Sequence, residues 1–328
     1  CATTTVGLWL QLDEGRGSRQ TLSDMLLRDD SVSGDLLATL VAIAGSAQAL
    51  AKIIASGPLG ARLDKEVGEN SDGDAQKLLD VLADELFADA LSAVPVRWYA
   101  SEERPEIDLL NTGGSLAVAI DPLDGSSNID ANISIGTIFS VFDAKEGGWE
   151  SFCRAGREQI AAGYVVYGPQ TCFVVATANH VYQFILHDGE FVSVSDELRI
   201  PDETREFAIN ASNYRHWAPP VRALVAEAHR ILKRGGIFLY PADARPGYDT
   251  GRLRLIYECA PIAFVIERAG GRATDGIDPI LDMIPHTLHQ RVPLVFGSSE
   301  KVCRVSAYHD LPEGEVSALF GRRGLFRA

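Results

Sequence analysis

Seven consecutive residues, Asp121-Pro122-Leu123-Asp124-Gly125-Ser126-Ser127, combine two carboxylates, a proline, a glycine and two hydroxyls at a spacing suited to metal and phosphate binding. Pro122 has no N–H and a fixed φ, so the strand expected over Leu116 to Ile120 stops at Asp121, and the turn brings Asp121 and Asp124 back towards one place. Two carboxylates forced together repel unless a cation neutralises them. Gly125 permits close backbone approach, and the N–H groups of Gly125, Ser126 and Ser127 then form an anion-binding concavity beside that cation. Taken alone, the same residues also make an ordinary β-turn. Ser101-Glu102-Glu103 tips the balance, because it ends the neighbouring candidate strand, Val96 to Ala100, in two more acids. Hard oxygen ligands of this kind suit Mg²⁺ or Mn²⁺, which keep several waters and bind substrate phosphate.

The elements that must carry these residues follow from periodicity. Leu36 to Ile54 has helical spacing and is stopped by Gly57-Pro58, which predicts a buried helix. A second amphipathic helix is expected over Ala75 to Ala90, with Leu78, Leu79, Leu82, Leu86 and Phe87 on one side and Asp74 as a possible N-cap. Strands follow at Gly136 to Phe142, Gly163 to Tyr167, Thr171 to Ala176, Val181 to Leu186 and Phe191 to Val194. Beyond Pro201 the pattern alternates: helix at Val221 to Lys233, strand at Ile237 to Tyr240, helix at Leu253 to Ala269, strand at Leu294 to Phe296 and a helix from Ser298.

The chain has 328 residues, 46% of them apolar and 23% charged, with 30 Lys+Arg against 45 Asp+Glu and a net charge of −15. At this length roughly 75% of the unfolded surface can be buried, and about two domains or lobes are expected. The acidic balance argues against nucleic acid and anionic membranes, both of which reward basic surface. Leu36 to Ile54, the longest apolar run, is interrupted by Gly45, Ser46, Gln48 and Lys52, so no membrane span is expected. Cys1, Cys153, Cys172, Cys259 and Cys303 include no Cys-x-x-Cys pair and read as reduced, buried thiols of a cytoplasmic protein. Cys1 would also suit a lipidated residue, but with no signal peptide in view a start further upstream is the better reading.

The stretch Asp121 to Ser127, continued by Asn128-Ile129-Asp130, resembles the signature of the Li⁺-sensitive, Mg²⁺-dependent sugar phosphatases. The longer match is to class I fructose-1,6-bisphosphatase. It continues through Ser134-Ile135-Gly136-Thr137-Ile138-Phe139, Ala161-Ala162-Gly163-Tyr164, Gly235 to Pro241, Leu253-Arg254-Leu255-Ile256-Tyr257-Glu258-Cys259 and Leu288-His289-Gln290-Arg291, in family order over most of the chain. The resemblance implies hydrolysis of the 1-phosphate of fructose 1,6-bisphosphate with two or more Mg²⁺ ions per site, Mn²⁺ being an alternative. Glu102, Asp121, Asp124 and Glu258, with the Leu123 carbonyl, resemble the metal ligands. Glu103 with Asp80 and Asp74 resembles the group that orients and deprotonates the attacking water. Asn210, Tyr214, Tyr240 and Arg252 resemble the site for the sugar and distal phosphate, although the family commonly has Lys where Arg252 stands. Without the resemblance, Asp80 reads as a polar-face helix residue and Glu258 as a helix-surface acid.

The chain departs from the family in three places. Between Ala223 and Leu224 a stretch is absent that includes an Arg reaching the neighbouring subunit's distal phosphate site; because Leu224 to Arg230 resumes the pattern without repair, an omitted stretch is favoured over a true deletion. Ser115-Leu116 stands where AMP-inhibited members carry Lys-Tyr, which makes AMP control doubtful. Phe152-Cys153-Arg154 offers one cysteine and no partner where redox-regulated members have a cysteine-bearing insertion. The implied fold is a layered α/β sugar phosphatase with sheets between helix layers. Its lobes would meet near residue 198, residues 1–198 carrying the catalytic acids and 199–328 the distal phosphate site. The implied assembly is a homotetramer. Action on sedoheptulose 1,7-bisphosphate as well, an inositol- or nucleotide-phosphatase, and a catalytically silent sugar-phosphate sensor are the competing readings.

Overall fold

The computed structural model describes residues 20–57, 66–69, 75–195, 197–201, 206–209, 223–242 and 250–309. Its helices are α1 (Leu22–Leu26), α2 (Gly34–Ser56), α3 (Leu78–Ser92), α4 (Gly148–Phe152), α5 (Leu224–Arg234), α6 (Ala260–Arg268) and α7 (Ser299–His309). The strands begin with β1 (Glu66–Glu69), β2 (Ala75–Lys77), β3 (Val96–Ser101), β4 (Asp108–Leu109), β5 (Leu116–Asp124) and β6 (Ile135–Asp143). They continue with β7 (Ala161–Tyr167), β8 (Thr171–Ala176), β9 (Val181–His187), β10 (Glu190–Ser195) and β11 (Glu206–Ile209). The last are β12 (Gly236–Tyr240), β13 (Leu253–Arg254), β14 (Arg272–Thr274), β15 (Arg291–Val292) and β16 (Leu294–Gly297).

Among the described residues, β10-β9-β8-β7-β6-β5-β3-β4 form an eight-stranded sheet in which the β3–β5 pair is parallel and the others are antiparallel. A second sheet has the order β11-β12-β16-β14. Alternate residues of the large sheet serve opposite cores. Val118, Ile120, Val165 and Phe173 pack with α2 and α3, whereas Tyr164, Val166 and Val174 pack with α5 and α6. Both faces are thus covered by helices, which is why β5 and β7 read as nearly unbroken apolar runs.

Local sequence fixes most helix ends. The Ser33 hydroxyl accepts the Leu36 N–H at 3.2 Å at the start of α2, and Gly57, at φ 51°, ends it. At 23 residues, α2 is by length and composition long and apolar enough to cross a membrane, contrary to the expectation of an interrupted run. Its Leu36, Leu40, Ile43, Ala47 and Leu50 are nevertheless buried in the core. Two other helices differ from expectation. Residues 75–77 pair with β1 as β2, so α3 begins at Leu78; and the stretch from Leu253 opens as β13, passes through a π-helical turn at Leu255–Cys259, and only then becomes α6. The thiols also divide: Cys172 and Cys259 are buried, Cys153 is half-buried and Cys303 is exposed, while Cys1 lies outside the described residues.

α5 docks on the large sheet through His229, whose Nδ1 lies 3.2 Å from the Tyr164 hydroxyl of β7. Burial, aided by nearby Lys233, pushes the imidazole pKa down to about 4. A histidine depressed in the folded state contributes stability that is present above its unfolded pKa near 6.5 and is lost as pH falls towards 4. The thermal midpoint therefore falls across that window. His229→Gln flattens the fall, and an unchanged acid limb in that variant would show that another group governs it.

Candidate active site

The strand β5 does not end at Asp121. It continues beside β6, but its register slips between Asp121, opposite Ile138, and Asp124, opposite Gly136. Pro122 and Leu123 thus face the single residue Thr137, which is a β-bulge. Pro122 cannot donate to the ladder, and the Thr137 hydroxyl donates to its carbonyl at 2.9 Å. On a regular strand, residues three apart point to opposite faces. The extra residue of the bulge turns Asp124 to the side of Asp121, so proline produces convergence by a bulge where the sequence suggests a strand end.

The third acid comes from the other half of the chain. Glu258 sits in the π-helical turn after β13, and its Oε2 accepts the Arg254 N–H at 2.6 Å; such single-turn insertions often mark functional positions. Asp121, Asp124 and Glu258 are all buried, and each offers a carboxylate oxygen within 4.8 Å of the others. Burial, followed by the charges of Asp124, Glu258 and Glu103, pushes the Asp121 pKa far up. Burial and Glu258 raise that of Asp124, against the lowering effect of the Val225 and Leu224 N–H groups. Asp121 also accepts the Leu123 N–H at 3.0 Å, and Asp124 the Val225 N–H at 2.7 Å. These amides offset only part of the repulsion. Three desolvated hard oxygen ligands of like charge suit a divalent cation.

The remaining predicted residues are distributed around this trio. Glu102 stands outside it: its carboxylate pairs with the buried guanidinium of Arg254. Arg254 is the principal residue that sequence reasoning passed over. Its one visible signal is a cation four residues before Glu258. Glu103 is half-buried, donates its amide to Ser101 Oγ at 3.2 Å, and is near enough for its charge to act on Asp121. Asp80, in the first turn of α3, is buried, as is Glu258; both correct the surface positions that helical pattern alone suggests. Leu123 lies buried within the bulge.

Gly125 adopts φ 82° and opens a 3₁₀ turn at Ser126–Asn128, in which Ser126 is half-buried and Ser127 exposed. A Cβ on Gly125 would lie 2.8 Å from the Ala223 Cβ. Leu224 is the first residue of α5, and the helix N-terminus lies against the Asp124-Gly125 turn through Ala223 and the Val225 N–H. Tyr240 ends β12 and Arg252 directly precedes β13, both half-buried. Asp74, Asn210 and Tyr214 lie outside the described residues.

Two family models match the chain: Fructose-1-6-bisphosphatase, N-terminal domain, over residues 20–196, and Fructose-1-6-bisphosphatase, C-terminal domain, over residues 221–310. A class 1 fructose-1,6-bisphosphatase of Bradyrhizobium sp. (strain BTAi1) is 66% identical over 332 residues, covering 94% of this chain and 98% of the relative. That alignment is longer than this 328-residue chain although only part of the chain enters it, so the relative carries residues with no counterpart here. The Paracoccus denitrificans class 1 enzyme is 52% identical, covering 92% of this chain and 98% of the relative. Among solved structures, the holo form of Leishmania major fructose-1,6-bisphosphatase is 31% identical with a TM-score of 0.81, covering 90% of this chain and all of that one.

Proposed function

Because the chain belongs to the class 1 fructose-1,6-bisphosphatase family, we propose that it hydrolyses the 1-phosphate of D-fructose 1,6-bisphosphate to fructose 6-phosphate and inorganic phosphate. The observation that carries this reading is the buried trio Asp121, Asp124 and Glu258 beside the Gly125 turn. Asp121, Asp124, Glu258, Glu102 and the Leu123 carbonyl would hold two or more Mg²⁺ ions, with Mn²⁺ as a substitute. When bound, such ions supply Lewis acidity to the phosphoryl oxygens and lower the pKa of a coordinated water.

The protein's own groups then have separate tasks. Glu103, with Asp80 and Asp74, orients the attacking water in line with the scissile bond and takes its proton. Backbone N–H groups of Gly125, Ser126 and Ser127 hold the transferring phosphoryl group. Asn210, Tyr214, Tyr240 and Arg252 hold the distal phosphate and the sugar, Arg252 through its planar fork. Residues 1–198 accordingly supply most of the acids and residues 199–328 the distal site, with Glu258 crossing between them. Sequence resemblance alone supports a homotetramer, and the unpaired cysteines alone support a cytoplasmic setting.

Phosphate release measured on fructose 1,6-bisphosphate, sedoheptulose 1,7-bisphosphate and an inositol monophosphate, with and without Mg²⁺, tests the reading. Release from the fructose bisphosphate is expected with Mg²⁺ or Mn²⁺ and to disappear in EDTA. Mg²⁺ at ~100 times its dissociation constant should also stabilise the fold by about 2.7 kcal/mol, read as a higher thermal midpoint. Binding without turnover would instead identify a sensor, and equal kcat/KM on both bisphosphates a dual enzyme.

A further inference from the structure

A second charged cluster is built on the loop that carries Glu102 and Glu103. Arg104 donates from Nε to Asp84 Oδ2 at 2.6 Å and from Nη1 to Asp108 Oδ2 at 2.5 Å. Its guanidinium lies 5.3 Å from the ring centroid of Tyr99, whose hydroxyl donates to Asp84 Oδ1 at 2.8 Å. Tyr99 and Asp84 are buried, and Arg104 is half-buried. Asp84 follows Asp80 by four residues on α3, so the two acids share the helix face that is turned inward. Arg104 directly follows Glu103, and its amide donates to Ser101 O at 3.2 Å, closing the turn after β3.

We propose that Arg104 is a positioning residue for the reaction: by gripping Asp84 and Asp108 together, it fixes the Glu102-Glu103 turn against the helix that carries Asp80. The inference rests on the roles given above to Glu103 and Asp80. Ion pairs of a half-buried arginine with one buried and one exposed carboxylate contribute little net stability, because desolvation and solvent screening offset much of their Coulomb energy. What they do supply is geometry. Arg104 holds two carboxylates through two different nitrogens while stacking on Tyr99, a geometry the single ammonium of lysine cannot reproduce. Misplacement of a reacting group by about 1 Å can cost ~10²-fold in rate.

Steady-state hydrolysis of fructose 1,6-bisphosphate at saturating Mg²⁺, with thermal unfolding of the same samples, tests this in Arg104→Lys, Arg104→Ala, Asp84→Asn and Glu103→Gln. Expected are a kcat loss of roughly tenfold in Arg104→Lys and about 10²-fold in Arg104→Ala, with KM little changed. The midpoint of Arg104→Lys should stay near that of the parent, so that rate and stability separate. Should Arg104→Ala fail to fold, Arg104→Lys and Asp84→Asn carry the test. Normal kcat in Arg104→Lys, with Glu103→Gln inactive, overturns the positioning role and leaves that of Glu103 standing. Normal kcat in Glu103→Gln overturns both.

Discussion

Asp124→Asn lowers phosphate release by ~10³-fold, the order expected when several kcal/mol of charge stabilisation disappear from the transition state. The same variant raises the thermal midpoint measured in EDTA. Without a cation, Asp124 is one of three buried acids of like sign, and its carboxylate is pushed towards protonation by burial and by Glu258. Asparagine removes the charge, while its side-chain oxygen can still accept the Val225 N–H now bound at 2.7 Å. Activity and metal-free stability therefore move in opposite directions, as expected where repulsion is kept because a ligand needs it. Unaltered phosphate release would remove Asp124 from the metal site, and a lower midpoint in EDTA would show that the trio carries no such strain.

Gly125→Ala has the opposite stability signature. At φ 82° an alanine costs roughly 1–2 kcal/mol on backbone grounds. Its Cβ would also lie 2.8 Å from the Ala223 Cβ and 3.0 Å from its Cα, forcing the start of α5 away from Asp124. Both kcat, by ~10²-fold, and the thermal midpoint should fall, with or without Mg²⁺. Gly189→Ala is the matched control: φ is 84° in the β9–β10 turn, but nothing lies within 4 Å of the added methyl. It should lose only the backbone part, roughly 1–2 kcal/mol, and keep its rate. Equal rate losses in the two variants would mean that backbone strain, and not the approach of α5, explains the effect.

What could be read in advance was what local chemistry fixes. The span of α2 follows from its helical spacing and its stop at Gly57, the strands of the large sheet follow from their short apolar runs, and the Asp121 to Ser127 turn announces itself through Pro122 and Gly125. Pro122 nonetheless reads as a strand end, because a missing N–H signals an interruption without saying whether the partner strand resumes beyond it. Here Thr137 bridges the gap. Asp80 and Glu258 look like surface acids because helical pattern sees one element at a time, and their burial depends on what packs across them. Arg254 and Arg104 escaped notice for the same reason. Each acquires its meaning from a carboxylate on another element, Glu102 for the first and Asp84 for the second.

The contact between Asp124 and the start of α5 also has a kinetic meaning. Its two residues are 101 apart in sequence, and Glu258 lies further still along the chain. Contacts of such long range require closure of large loops, whose entropy must be lost before the contact gives anything back. The acidic trio therefore assembles only when the π-helical turn and α6 have docked on the large sheet. A cation bound there acts on the finished fold: it retards unfolding far more than it accelerates folding, because the interaction is absent from the earlier barrier. For this chain, the lifetime of the folded state becomes a function of the free divalent cation, and chelation sets how long the enzyme persists as well as how fast it works.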